Sequence, residues 1–400
     1  MRLFIFDDRT ADAWLPFSLS RPCAELLYGT LLLRQRLERF AGTGASGLIT
    51  RPWLGSFSEP GAPPVLSPEE VPESADRLLL SSRTVPAPDA RFERPDGPAT
   101  LEMDGEIVGA YLPAGVEAPG AAWLAEPAPL RGGALVVDGH VLRHGWDLVV
   151  GSADRTAEDL GAGLSGGGRL SECGPGERLG DSALYVAPDV RIEPGVLFDL
   201  RSGPICLDRG VEVRAGSRLQ GPIYAGPGCR LLGGPIAGLT AGPGCYLRGE
   251  IEESVILGYA NKAHDGFLGH AYIGRWVNLG ALTANSDLKN TYGTVRIAGP
   301  IEEADTGLLK FGCLIGDHVK TAIGTLIPTG AVLGCGAVLL AKAPEKWVPA
   351  FTWGQPESIH RLEGFLRTAG IAAERRDMPF GEAERTWLSE VWEHATAGRL

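Results

Sequence analysis

The sequence predicts an α/β layer domain, then a parallel β-solenoid, then a short helical cap. Three observations carry this: apolar strand-length runs around one helical pattern near the N-terminus, a six-residue grid of aliphatic residues through the middle, and a return of helical spacing at the end. RLFIFDD (2–8) has the apolar run of a buried first strand, and ELLYGTLLLRQRLERF (25–40) sets Leu26, Leu27, Gly29, Leu33, Leu37 and Phe40 at near-helical spacing. SGLIT (46–50), RLLLSS (77–82) and GALVVDGHVL (133–142) read as further strands between Pro- and Gly-rich connections, which makes an α/β layer fold. GAGLSGGGRL (161–170) is a Gly-rich junction, and the first domain is read as 1–165.

From Ile315 the chain reads IGDHVK TAIGTL IPTGAV LGCGAV LLAKAP, with Ile315, Thr321, Ile327, Leu333 and Leu339 on one grid. The same interval recurs at Phe267, Ile273 and Leu279, at Val186, Ile192 and Phe198, and after a register jump at Ile205, Val211, Ser217, Ile223 and Cys229. This period matches neither an amphipathic helix nor an alternating strand. It suits a coil of flat sides: an aliphatic residue points inward on each side, and Gly, Asn, Asp or Pro makes the corner, so three sides give rungs of about eighteen residues. The pattern resembles the left-handed parallel β-helix of the hexapeptide-repeat transferases and is read as 166–355. After Pro356, SIHRLEGFLRTAGIAAERR and GEAERTWLSEVWEHA regain helical spacing, so 356–400 is a helical extension that closes the coil.

Composition narrows the function. A chain of 400 residues has room for several cores. Its net charge of -12 argues against a nucleic-acid partner, which would call for a basic face. No run approaches the roughly 20 apolar residues that span a bilayer, and MRLFIFDDRT turns acidic before a signal region develops; a cytoplasmic chain with no membrane partner is expected. Seven cysteines without CxxC spacing fit reduced thiols in that compartment. The 56 Gly and 30 Pro beside a 44% hydrophobic fraction mark an ordered, turn-rich fold.

Three stretches carry a more specific resemblance: PFSLSRPCAELLYGTLLLRQRLE, then ESVILGYANKAHDGFLGHAYIGRWVNLGALTANSDLKN, then DTGLLKFGCLIGDHVKTAIGTLIPTGAVLG. Together they resemble the GlmU-like sugar nucleotidyltransferase family, similar to the bifunctional N-acetylglucosamine-1-phosphate uridyltransferase / glucosamine-1-phosphate acetyltransferase. The resemblance implies a Rossmann-like nucleotidyltransferase domain fused to an acyl-transferring β-helix, working in UDP-N-acetylglucosamine biosynthesis for the cell envelope. Its substrates would be a sugar phosphate, a nucleoside triphosphate and acyl-CoA (acetyl-CoA), with Mg2+ wherever nucleotidyl transfer occurs.

Moving an acyl group from a thioester to an amine or hydroxyl needs a base for the acceptor's proton, and histidine suits that task near neutral pH. His264, in an interruption of the grid, is the candidate; by resemblance it is the family's catalytic histidine, since Phe267, Leu268 and Gly269 follow in the family's order. Where the family has tyrosine this chain has Phe267, without the hydroxyl that helps hold the sugar phosphate. Asn278 and Asn285 match family asparagines near the acceptor sugar and the base, although asparagine also suits left-handed corners. Lys262 and Lys289 are candidate phosphate ligands. Asp265 and His270 read as turn and surface residues. A zinc site of the γ-class carbonic anhydrase kind would draw on His264, His270 and His318, but that family's five-residue step between two histidines is absent.

The N-terminal reading is less complete. Pyrophosphorylases follow their first strand with a Gly-rich loop whose N–H groups cradle phosphate, whereas DDRTADAWLPFSLSRP has no glycine. Arg21 is the candidate nucleotide ligand, and Asp7 or Asp8 the candidate Mg2+ ligand; equally, the aspartates can end a strand and Arg21 can set the entrance to a helix. Three functions follow: acyl transfer coupled to nucleotidyl transfer, nucleotidyl transfer with the β-helix as an assembly or regulatory domain, or binding by a catalytically decayed protein. The flat faces of a three-sided prism suit closed symmetry, and the resemblance implies a homotrimer with acyl-CoA between neighbouring coils. Residues 290–312 break the grid, as a reach across that interface or as a surface insertion.

Overall fold

A computed structural model describes residues 1–164, 171–172, 177–340 and 343–398. The Gly-rich junction expected at 161–170, and with it the 165/166 boundary, lies mostly outside the described residues.

The N-terminal apolar runs pair into a seven-stranded mixed sheet. Arg2–Phe6 lies at its heart, parallel to Ala45–Ile49 on one side and Arg77–Ser81 on the other. An antiparallel pair, Ala99–Met103 with Glu106–Leu112, extends the sheet, and Gly133–Val136 closes its edge. The 133–142 run is in fact two strands, because Gly139 takes φ 150° and sends Gly139–Val141 to pair with Thr84–Pro86. The 25–40 segment also differs from expectation. Gly29 at φ 59° turns Leu27–Tyr28 back on Leu31–Leu32, so the helix starts only at Leu33–Ala41, where Leu33, Leu37 and Phe40 form the buried stripe.

The solenoid follows as three stacked faces. The first is a ten-stranded sheet from Ser171–Glu172 and Leu184–Val186 to Ala331–Leu333 and Trp347–Val348, parallel apart from its first pair. The second runs from Arg191–Ile192 to Asn261–Lys262 and continues through Lys320–Thr321 and Val338–Leu339. The third runs from Glu177–Leu179 to Leu268–Gly269 and continues through Ala284–Asn285 and Leu326–Ile327. The grid residues Val186, Phe198, Ile205, Val211, Ile223, Cys229, Ile273, Leu279, Ile315, Ile327, Leu333 and Leu339 form one buried core inside it. Corner dihedrals repeat with the grid: His270, Trp276 and Leu282, then His318, Gly324, Gly330 and Gly336, all have left-handed φ.

Phe267 departs from its expected place. It is half-buried, and Leu268 takes the inward position instead. The inward series runs Ile256, Lys262, Leu268 and then, one residue short, Ile273, Leu279, Asn285. The rung opened by Tyr272 closes only at Leu314, because an insertion necked by the Leu288–Lys310 bridge leaves the coil. Val295, Ile297, Ala298 and Phe311 of this insertion pack with Trp14, Phe17 and Leu27, so it anchors the chain's own N-terminal segment to the first face. Helices Leu362–Glu374 and Glu382–Gly398 close the end, packing Phe365, Leu388 and Val391 with Phe351 and Leu54. Among the described residues no helix is long and apolar enough to cross a membrane.

Candidate functional site

The turn between Asn261–Lys262 and Leu268–Gly269 forms the corner from the second face to the third. His264 projects there, exposed, and its imidazole makes no hydrogen bond with the described residues. Beneath it Lys262 points inward, in register with Leu247. Its ammonium donates to the carbonyls of Arg248 (2.7 Å), His264 (3.2 Å) and Gly266 (2.6 Å), and burial pulls its pKa down to about 8. Lys262 therefore ties the turn together from inside, with its donors spent on backbone rather than offered to a phosphate. Asn285 is buried as well, exchanging two 2.9 Å bonds with the backbone of Gly269. The Phe267 ring lies so close to Gly269 that a side chain there would meet its Cζ at 2.3 Å.

His270 is more than a surface residue. Its Nδ1 is 2.9 Å from Asp287 Oδ2 and its Nε2 3.4 Å from Glu253 Oε2. Burial disfavours its charged form, but Glu253, with Asp287 and Glu252, outweighs that and holds its pKa above the usual imidazole range. The sequence signal for this pair was the distance from His270 to Asp287, one rung apart on the third face. Among the described residues no trio of histidines converges, and His318 is buried beside Trp276 and Phe365.

The turn thus gathers His264, Lys262, Phe267 and Asn285. Asn278 sits apart, outward on the second face, where its Oδ1 accepts from Asn261 Nδ2 at 2.9 Å. Lys289 donates to the Thr294 carbonyl within the insertion. The N-terminal candidates are elsewhere again. Asp7 Oδ1 accepts from Ser82 (2.5 Å) and Oδ2 from Thr50 (2.6 Å) and the Cys23 amide (3.1 Å), with Arg51 at 3.1 Å. Asp8 caps Ala11 (2.9 Å) and pairs with Arg83 at 2.9 Å. Arg21 is clamped between Glu59 (2.9 Å) and Asp317 (2.8 Å).

Residues 3–162 match the family model described as sugar nucleotidyl transferase. Curated proteins named Bifunctional protein GlmU, from Bordetella parapertussis and Bordetella bronchiseptica, are each 28% identical over 264 residues, covering 61% of this chain and 51% of the relative. Another, from Carboxydothermus hydrogenoformans, is 28% identical over 175 residues, 43% of this chain and 34% of its own. Over these stretches the chain is similar to sugar nucleotidyl transferases and to the GlmU proteins. The chain spans about half the length of the two Bordetella relatives.

Of the groups the resemblance implies, Mg2+ finds no fitting donors at Asp7 and Asp8. A hard cation needs carboxylate oxygens free to share with water, and here both carboxylates are saturated by hydroxyls, backbone amides and the cationic Arg51 and Arg83. The exposed corner at His264, whose imidazole makes no hydrogen bond with the described residues, is the candidate with chemistry to spare.

Proposed function

We propose that the chain is a sugar-phosphate transferase of nucleotide-sugar metabolism, and that the solenoid transfers an acyl group from acyl-CoA to a sugar phosphate with His264 as general base. The observation that carries this reading is the free imidazole of His264 on a corner braced from inside by Lys262 and Asn285. A base must reach the acceptor's proton within hydrogen-bond distance, and an exposed ring on a rigid turn can do so without breaking an internal bond. Phe267 is assigned to the acceptor's surroundings, Asn285 and Lys262 to the support of the turn, Asn278 to the second face beside helix Leu362–Glu374, and Lys289 to the insertion. A homotrimer, with acyl-CoA between neighbouring solenoids, completes the proposal.

The test is thiol release from acetyl-CoA in the presence of amino-sugar and sugar phosphates. His264→Ala should lower turnover by roughly a hundredfold or more while leaving the melting temperature in place; turnover equal to wild type would sink the assignment.

The match of residues 3–162 to a sugar nucleotidyl transferase model favours a second reading, nucleotidyl transfer in the N-terminal domain with the solenoid as an assembly or regulatory part. Pyrophosphate release from nucleoside triphosphates, sugar 1-phosphates and Mg2+ tests it independently. The saturated partners of Asp7, Asp8 and Arg21 argue that these three residues serve the fold in either case.

A further inference from the structure

A groove of about 500 Å³ lies where the N-terminal hairpin and helix Leu33–Ala41 meet the corner between the first and second solenoid faces. That volume is in the range of small-molecule sites. Arg34, Gln35, Arg209, Tyr224, Tyr259 and Arg275 are among the residues lining it, and none of its lining residues is Asp or Glu, although the chain carries a net charge of -12.

Its polar groups differ in what they have left to give. Arg34 is spent on Glu25 and Glu38. Arg275 lends one Nη to Glu59 at 3.0 Å, but its Nε is buried with no acceptor among the described residues, the kind of orphan donor that folded proteins rarely leave. Gln35 accepts the Leu32 amide at 2.9 Å through Oε1, which leaves its amide nitrogen with two donors to spare. Arg209 is exposed, and its guanidinium makes no hydrogen bond or ion pair with the described residues. The neighbouring Asp208 carboxylate is taken by the Arg209 amide (2.7 Å) and the Tyr224 hydroxyl (3.0 Å). What remains is a donor excess between proline, leucine and tyrosine walls: the unbonded Arg209 guanidinium, the Gln35 amide nitrogen, and an Arg275 guanidinium that keeps one ion pair with Glu59.

We propose that this groove binds a phosphorylated small molecule, with the phosphoryl group held by Arg209, Arg275 and Gln35. Guanidinium forks match phosphate oxygens, and the apolar walls leave room for an organic remainder. Because the donors come from both parts of the chain, such a ligand bridges the N-terminal segment and the solenoid. The site is separate from the corner that carries His264, and it does not rest on acyl transfer.

The full chain should be titrated calorimetrically, at low salt, with inorganic phosphate, a hexosamine 1-phosphate and uridine diphosphate. Heat from phosphate alone with no gain from the larger probes marks a bare anion site; a gain with one of them identifies whether a sugar or a nucleotide supplies the remainder. Arg209→Gln removes an unbonded exposed group and should weaken binding by roughly tenfold or more. Gln35→Glu keeps the acceptor for the Leu32 amide and replaces the free donor by charge, and should abolish binding. Absence of binding by all three probes, or titrations unchanged in both groove variants, overturns the proposal.

Discussion

Arg21 shows how one residue can look like a ligand and act as a joint. Its guanidinium reaches Asp317 through Nε (3.0 Å) and Glu59 through both Nη atoms (3.0 and 2.9 Å), while Ser20 and the Arg275 amide fill the rest of Asp317 at 2.8 and 2.7 Å. Burial works against the charge, but Asp317 and Glu59 outweigh it and hold the guanidinium more firmly protonated than usual. Removing it would leave two buried carboxylates short of a cation. Arg21→Ala should therefore cost about 3–5 kcal/mol in urea unfolding, with Arg21→Lys recovering only part because it lacks the fork. A normal midpoint in Arg21→Ala would contradict this role. Arg21 stood out in the sequence as a lone cation before a helix, and nothing local reveals partners at 59 and 317. Lys262 was hard to read for another reason. Whether a side chain faces in or out depends on a register that slips by one residue between Leu268 and Ile273, and a slip of one exchanges the faces.

At the scale of elements, the solenoid was legible because its period is local: each rung repeats the same corner and the same inward aliphatic residue, whatever lies far away in sequence. The hairpin at 27–32 was not, because Leu26, Leu27 and Leu33 fit a helical stripe and only the backbone of Gly29 breaks it. How the C-terminal helices dock was equally hidden. Helix Leu362–Glu374 sets Phe365 edge-on against the corner residue His318, with ring centroids 5.4 Å apart. His318 Nδ1 is buried without a partner among the described residues, and burial, aided by Lys320 and Arg21 and opposed by Glu59, pushes its pKa well below the ordinary 6.5. The unfolded chain thus binds a proton near pH 6.5 that the folded chain refuses, so the stability this group permits is present above that pH and falls away as the pH drops below it. His318→Asn, which keeps a residue tolerant of the left-handed corner, should unfold with a shallower loss between pH 7 and pH 5 than wild type. Parallel acid limbs in the two proteins would rule out His318 as the titrating group.

For the whole molecule the question is which face remains for assembly. The outward side of the first face is covered by the N-terminal part: Tyr272 exchanges bonds of 2.8 and 3.1 Å with the backbone of Leu27, and the Thr240 hydroxyl meets that of Thr156 at 2.8 Å. The second face is covered at its later rungs, where Thr368, Ile371 and Arg375 stand over Asn261, Asn278 and Lys320. The third carries Leu326 at 58% exposure, with Leu282 and Ile323 exposed at the corners beside it. Single exposed leucines are ordinary, but these three flank one strand pair, Ala284–Asn285 with Leu326–Ile327. The proposed homotrimer should use this face, since a neighbour docking there also closes over the corner of His264. Light scattering should give a trimer for wild type and a smaller species for Leu326→Glu, which places a charge in the contact without touching the solenoid interior. Thiol release from acetyl-CoA should fall with the trimer, because the acyl carrier would lose its second wall. A Leu326→Glu chain that stays trimeric would move the interface elsewhere, and a monomeric chain with full turnover would show that one solenoid suffices.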